Sequence, residues 1–146
     1  MILALKFLAV LSAALFAGAA LYINVVEHPA RMGLETRIAA LQWAPSYKRA
    51  TWLQAPLAIL SFLAGTAVWL LGAGLGWLVA ALLVVAVVPF TFAIIMPTNH
   101  RLLAPDRDVA SAETRELLMA WGRLHAVRTL LSCAGTVLYI WLLLAA

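Results

Sequence analysis

This chain has few charged residues. Only 11% of its 146 residues are Asp, Glu, Lys or Arg, whereas charged residues make up about a quarter of a soluble domain. Hydrophobic residues account for 66% of the chain, and the mean hydropathy is +1.02. This composition excludes a soluble globular protein and predicts an integral membrane protein. The length suits one membrane domain over residues 1–146, with no room for a second folded unit.

Cysteine is almost absent, because Cys133 is the only one. A single cysteine cannot form an intramolecular disulfide, so the chain carries no information about a redox compartment. Alternation of apolar and polar residues with a period of two is also lacking, which excludes the strands of a membrane barrel. Helices then remain as the way to satisfy the backbone hydrogen bonds in lipid.

Four apolar runs are long enough to cross a hydrocarbon core, which takes about 20 helical residues. They cover approximately residues 2–26, 51–71, 77–96 and 121–145. The predicted fold class is therefore all-α, an antiparallel bundle of four transmembrane helices. A cleaved signal peptide is the competing interpretation of the amino terminus, and it is disfavoured because the first apolar run continues to Val26.

The stretch "GLETRIAALQWA" between the first two runs has its own apolar period. Leu34, Ile38 and Leu41 recur at i, i+4 and i+7, which predicts a short helix lying in the membrane interface. Trp43 would then lie among the lipid headgroups.

The formal net charge of +4 is concentrated beside two of the three links. The links at 28–50 and 97–123, with their flanking turns, carry nine of the ten Lys and Arg residues and all six acids, and Lys6 is the exception. The positive-inside rule makes this side cytoplasmic and places both termini outside, as in a bacterial inner membrane. The distribution of the charged residues therefore indicates the membrane topology, and a nucleic-acid partner is not expected. The expected partners are the lipid bilayer and a lipophilic small molecule, and assembly into a homo-oligomer stays open.

Each predicted helix carries polar residues at its cytoplasmic end. With a rise of about 1.5 Å per residue, all three histidines fall near the same membrane boundary. Such groups are costly where lipid can reach them, so we expect the four sets to face one another inside the bundle. The sets are Asn24, Glu27, His28 and Arg31 on the first helix, Tyr47, Thr51 and Gln54 on the second, Thr98, Asn99, His100 and Arg101 on the third, and Trp121, His125, Arg128 and Ser132 on the fourth.

Two prolines lie at this end of the helices. Pro29 disfavours helical geometry at His28, and Pro97 does the same at Met96. We therefore expect the first and third helices to break at these positions and to free backbone carbonyls toward a cavity.

Glu27 admits two interpretations. As a structural group it would form an ion pair with Arg31 one turn away, or with Arg128 across the bundle. As a functional group it would be a general base or a metal ligand. Glu27, His28 and His125 form a two-histidine, one-carboxylate set that suits iron, and His100 would extend this set for copper or zinc. The chain has no i, i+4 His pair and no Glu-x-x-His of the di-iron type.

The aromatic residues and the arginines each admit two interpretations. Trp121 and Tyr47 are either anchors at the membrane interface or a stacking platform for a planar ligand. The arginines are either topology signals that contact lipid phosphates or, for Arg128 beside His125, a group that binds an anionic or phenolate oxygen.

Four motifs, taken in order along the chain, resemble the anthrone-oxygenase-like family of small four-helix integral membrane proteins. They are "NVVEHPAR", "PSYKRATWLQAPLA", "PFTFAIIMPTNHRLL" and "WGRLHAVRTLLS". The resemblance runs from about Asn24 to Ser132. It implies an oxygenase that converts an anthrone to an anthraquinone without a dedicated organic cofactor. It also implies functional positions at Asn24, Glu27, His28, Pro29, Arg31, Tyr47, Arg49, Gln54, Pro97, Asn99, Arg101, Trp121, His125 and Arg128, and His100 falls beside the motif asparagine.

An anthrone has an acidic C–H bond, and the carbanion left after proton removal is rich enough in electrons to reduce O2. His125 or Glu27 would act as the base, and Arg128 and Asn99 would stabilise the phenolate-like oxygen. The leading hypothesis is thus a membrane-embedded oxygenase acting on an anthrone- or quinol-like substrate. Its catalytic residues would be Glu27, His28, His125, Arg128 and Asn99, and its substrate-binding residues Asn24, Arg31, Tyr47, Arg49, Gln54, Arg101 and Trp121.

Two rival hypotheses stay open. One is a non-catalytic membrane protein, such as a small transporter or a lipid- or partner-binding subunit, whose polar cluster is a structural ion-pair lock. The other is a metal-dependent oxidase with a single Fe or Cu ion held by Glu27, His28, His125 and His100. The cofactor requirement is accordingly either none or one metal ion.

Overall fold

The computed structural model describes residues 1–145 and contains helices and turns but no strand in that range. Its four long helices are α1 (Ile2–Met32), α2 (Thr36–Ala73), α3 (Leu75–Leu102) and α4 (Ala112–Leu144). Each is long and apolar enough to cross a membrane. The all-α fold with four membrane-crossing helices is thus confirmed, and the chain is a membrane protein.

The four helices pack in a ring in which α1 and α3 each lie between α2 and α4. Neighbours run antiparallel. Ser61 of α2 donates a hydrogen bond to the Ala9 carbonyl of α1, and Thr129 of α4 lies 3.2 Å from the Ala20 carbonyl of the same helix. At the other end, Arg115 of α4 donates to the backbone after α1. The polar ends of all four helices therefore meet at one end of the bundle.

The stretch predicted as a short interfacial helix is helical, but it is not a separate element. It forms the beginning of α2, which continues without interruption through Pro45 and Pro56. Trp43 does not reach the headgroups either, because only 1% of its surface is exposed. The 38 residues of α2 correspond to about 57 Å of helix, so this helix extends well past a hydrocarbon core of about 30 Å.

The predicted breaks at Pro29 and Pro97 are absent, because a π-helical turn precedes each proline and keeps the helix continuous. These turns are Ile23–Glu27 and Thr91–Ile95. In each, the residue before the proline donates its N–H five residues back, His28 to Ile23 and Met96 to Thr91. A π turn holds an extra residue and shifts this pattern, which makes room for the proline ring where an α-helix would clash. His28 keeps helical angles, φ −68° and ψ −44°.

A tight glycine turn at the end of α2 leads into α3. Gly72 and Gly74 have φ angles of 88° and 96°, a region that residues with a Cβ atom rarely adopt.

Small residues hold the helices close together in the apolar half of the bundle. Gly135 of α4 is buried against α3, and a Cβ atom placed there would lie 2.7 Å from Cγ2 of Val84 and 3.1 Å from the Ala80 carbonyl oxygen. Since part of this contact is backbone, it cannot be relieved by a side-chain rotation. Close approach at small residues is how membrane helices gain packing energy without a hydrophobic drive between them.

We expect Gly135→Ala to destabilise the bundle by about 1–3 kcal/mol, because the added methyl group overpacks the α3–α4 contact. Gly18→Ala is the matched control, since a Cβ atom at Gly18 meets nothing within 4 Å, and it should be neutral or stabilising by up to about 1 kcal/mol. Thermal unfolding of the two variants in detergent, followed by circular dichroism, checks the difference. Equal stability of the two would contradict this packing.

Candidate functional site

Most of the predicted site residues lie inside the polar end of the bundle. Three of them do not, since Arg49, His100 and Arg101 are exposed. Arg101 pairs with Glu113 at 2.5 Å on the surface. The residues that are buried or half-buried are Asn24, Glu27, His28, Arg31, Tyr47, Gln54, Asn99, Trp121, His125 and Arg128.

The polar residues at the end of α1 face two different neighbouring helices. Asn24 and His28 face α4, where Asn24 donates to the Gly122 carbonyl and the His28 ring lies 5.4 Å from the Trp121 ring. Glu27 and Arg31 face α2. The π turn at Ile23–Glu27 contains both Asn24 and Glu27. In a regular α-helix, Asn24 and Glu27 would lie on the same face. Because the π turn holds an extra residue, the two side chains instead face different partners.

The Glu27 carboxylate forms the ion pair with Arg31 that was one of its two predicted interpretations. The same oxygen of Glu27 accepts a hydrogen bond from the hydroxyl of Ser46, and Nε of Arg31 donates to the side-chain oxygen of Gln42. The side chain of Arg31 is only 2% exposed, so a buried charge is paired and hydrogen-bonded, as burial requires. Ser46 and Gln42 were not predicted as partners, although their spacing places them on one face of α2.

His125 forms a second cluster with α1. Its Nδ1 atom lies 2.6 Å from Oδ1 of Asn24, and the Thr129 hydroxyl lies 2.5 Å from the same oxygen. Asn24 was predicted to bind substrate, but its side chain is occupied by these contacts within the protein. Thr129 was not predicted at all. Its position one turn after His125 on the same helix was the available signal.

Aromatic rings enclose the histidines. The Trp121 ring stacks on His125 with centroids 4.9 Å apart and meets the Trp43 ring edge-on at 5.7 Å. Tyr47 stacks on Trp43 at 5.1 Å. Trp121 is 4% exposed, so it lies within the bundle and not at a lipid-facing interface. Gly122 permits this packing, because a Cβ atom at that position would collide with the His28 ring.

Arg128 and Gln54 form the third polar contact, between α4 and α2. Nη2 of Arg128 donates to Oε1 of Gln54 at 2.9 Å, and the guanidinium group lies 5.6 Å from the Phe16 ring centroid. Nε of Arg128 and Nε2 of Gln54 are buried and have no hydrogen-bond partner among the described residues. Buried donors without acceptors are costly, so these two N–H groups are candidates for contact with a ligand oxygen.

Two adjoining cavities meet at Arg128. The inner one is smaller, with a volume of about 10 Å³, and its lining includes Gln54, Trp121 and His125. The outer one opens between α2 and α3 and has a volume of about 90 Å³. Its walls are largely apolar, with Ala55 and Phe92 among them. Tyr47, Thr51 and Arg128 line both cavities.

The four residues predicted as metal ligands are not brought together. Among residues 1–145, no group of three or more His, Cys, Asp or Glu side chains lies close enough to hold a metal ion. The reason is that Glu27 contacts Arg31 and Ser46, His125 contacts Asn24, and His100 is exposed. Nδ1 of His28 lies 3.4 Å from Nη1 of Arg31. Because a guanidinium group can only donate, this nitrogen of His28 acts as an acceptor toward Arg31.

Asn99, predicted to stabilise a substrate oxygen with Arg128, is fully buried. Neither its side-chain nitrogen nor its side-chain oxygen has a hydrogen-bond partner in the described part of the chain. It is not among the residues that line the two cavities at Arg128.

Comparison with known proteins finds one matching family. The family model for anthrone oxygenase matches residues 43–138, which include Tyr47, Gln54, Trp121, His125 and Arg128. An anthrone oxygenase of Pestalotiopsis fici is 32% identical over 122 residues, which cover 73% of this chain and 85% of that protein.

Two further fungal proteins match over shorter stretches. An anthrone oxygenase of Aspergillus fumigatus is 41% identical over 70 residues, or 46% of this chain and 44% of that protein. One of Claviceps purpurea is 32% identical over 73 residues, or 44% of this chain and 42% of that protein. The matches thus span less than half the length of these two relatives. No solved structure matches the chain.

We expect Arg31→Met to destabilise the protein by about 3 kcal/mol, because it leaves a partly buried Glu27 carboxylate without its cation. Arg101→Met is the control, since both partners of the Arg101–Glu113 pair are more than half exposed, and it should cost less than about 1 kcal/mol. Thermal unfolding in detergent measures both. Equal effects of the two substitutions would show that the buried Glu27–Arg31 pair contributes no more to stability than the exposed Arg101–Glu113 pair.

Proposed function

Because the chain belongs to the anthrone oxygenase family, we propose that it is a membrane-embedded oxygenase that uses O2 to oxidise a small lipophilic aromatic substrate of the anthrone class. The observation that carries the proposal is the arrangement at Arg128, where an imidazole, unpaired N–H donors and an apolar cavity adjoin. This combination suits a planar ligand that carries few oxygens and an acidic C–H bond.

His125 is the proposed general base. It lines the inner cavity, and its Nδ1 atom is occupied by Asn24, so Nε2 is the nitrogen left for the substrate. A base must come within hydrogen-bond reach of the proton that it removes. Glu27, the other predicted base, is engaged by Arg31 and Ser46 and is not among the residues lining either cavity.

Arg128 and Gln54 are proposed to bind the substrate's oxygen. Removal of the proton places negative charge on that oxygen as the carbanion becomes a phenolate. The buried N–H groups of Arg128 and Gln54 that lack acceptors would then acquire one. Asn99 is not given this role, since it does not line the cavities.

The reaction balances without a further oxidant. The carbanion passes an electron to O2, and recombination of the resulting pair forms a C–O bond and a substrate hydroperoxide. The hydroperoxide carries the proton that the base returns to the peroxide anion. Loss of the remaining hydrogen on that carbon as a proton, and of the distal oxygen as hydroxide, gives the ketone and one water. Anthrone plus O2 thus becomes anthraquinone plus water, and the protein supplies a base, an oxygen-binding pair and a shielded site.

The outer cavity provides the proposed entry route. It opens between α2 and α3, and exposed Thr51 and Phe92 lie on its rim. A lipophilic substrate dissolved in the bilayer could enter sideways, with its apolar rings in the outer cavity and its oxygen toward Arg128. The concentration of cations at the polar end of the bundle supports an orientation with this end on the cytoplasmic side.

We expect His125→Ala to lower the rate of O2 consumption with an anthrone substrate by about 10²- to 10⁴-fold, the usual contribution of a general base. Arg123→Ala is the control, because Arg123 is exposed on the same helix two residues earlier, and it should keep the wild-type rate. The measurement is O2 uptake and quinone absorbance in detergent or vesicles. A folded His125→Ala protein with the wild-type rate would refute the proposed function.

A further inference from the structure

We infer that Thr129 and Asn24 are positioning residues that determine which ring nitrogen of His125 carries the hydrogen. The inference deepens the proposed function, because it assumes that His125 acts as the base through Nε2. It rests on three hydrogen-bond contacts around the Asn24 amide and on the chemistry of the groups that make them.

The orientation of the Asn24 amide is fixed by a backbone carbonyl. Nδ2 of Asn24 lies 3.0 Å from the carbonyl oxygen of Gly122. A carbonyl oxygen can only accept, so the atom facing it must be the amide nitrogen. Reversing the amide would bring two acceptor oxygens together. Oδ1 of Asn24 therefore faces His125.

This orientation decides the tautomer of His125. An amide oxygen can only accept, and Nδ1 of His125 lies 2.6 Å from it, so Nδ1 must carry the hydrogen. A neutral imidazole has one N–H group, which leaves Nε2 with a free lone pair. A nitrogen in that state can take a proton from a substrate, whereas the other tautomer would present an N–H group.

Thr129 supports the same arrangement from the next turn of α4. Its hydroxyl lies 2.5 Å from Oδ1 of Asn24, and its other acceptors, the carbonyls of Ala20 and His125, are farther away at 3.2 and 3.3 Å. Thr129 is 6% exposed, so water does not compete freely for the hydroxyl. With two donors on Oδ1 and one acceptor at Nδ2, the amide cannot rotate without losing hydrogen bonds.

The test uses Thr129→Val, which removes the hydroxyl at nearly constant volume, and Thr129→Ser, which restores it. We expect Thr129→Val to lower kcat about tenfold with little change in KM, as expected for loss of one buried hydrogen bond that acts through the base. Thr129→Ser should recover most of the rate. Thr136→Val is the matched control, because Thr136 is a buried threonine of the same helix that, within residues 1–145, donates only to the Ser132 carbonyl.

Nitrogen-15 NMR of histidine-labelled protein reads the tautomer directly. The chain has three histidines, and His125→Gln identifies the signals of His125. We expect protonated Nδ1 and bare Nε2 in the wild type, and a mixture of tautomers in Thr129→Val. A wild-type His125 with the hydrogen on Nε2 overturns the inference, and so does a Thr129→Val protein unchanged in both tautomer and kcat. If the tautomer is as stated but His125→Ala keeps its activity, the proposed function fails and the assignment of the hydrogen stands.

Discussion

The structure depends on one constraint, which is that a polar group inside a membrane-crossing bundle must find its partner within the protein. Ten candidate residues with polar or ionisable groups lie at one end of this bundle, and lipid offers none of them a hydrogen bond. The constraint turns them inward and ties the helices to one another. Arg31 shows the result most clearly, since a guanidinium group with 2% exposure contacts Glu27, Gln42 and His28.

The same constraint separates structural groups from groups available for chemistry. Where pairing is complete, as at Glu27 and Arg31, the side chains hold α1 to α2 and have little left to offer a substrate. Where pairing is incomplete, as at Arg128 and Gln54, two residues that line the inner cavity each keep a buried nitrogen without a partner among the described residues, at a cost in stability. A rigid network beside a small unsatisfied site is what preorganised charge stabilisation requires.

Sequence patterns predicted the four helices and the meeting of their polar ends, because both follow from hydropathy and from the cost of polar groups in lipid. They could not predict the partners. The spacing of polar residues along a helix shows only which one or two neighbouring helices a side chain can face. A hydrogen bond, in contrast, requires its two atoms to be placed to within a few tenths of an ångström. Thr129 is not predicted from the sequence, because threonine is common in membrane helices. His100 is predicted as a site residue because it lies at the right depth, but its side chain is exposed.

The π turn before Pro29 is the feature that sequence periodicity misjudged most, and it has the largest effect on the site. Spacings of three, four and seven place Asn24, Glu27 and Arg31 on one face of an ideal α-helix. The extra residue of the turn instead directs Asn24 toward His125 and Glu27 toward Ser46. Without that shift, Asn24 and Glu27 would face the same neighbouring helix. Proline supplies the cause, because its missing N–H and its ring favour the wider turn, and the proposed chemistry depends on the resulting division.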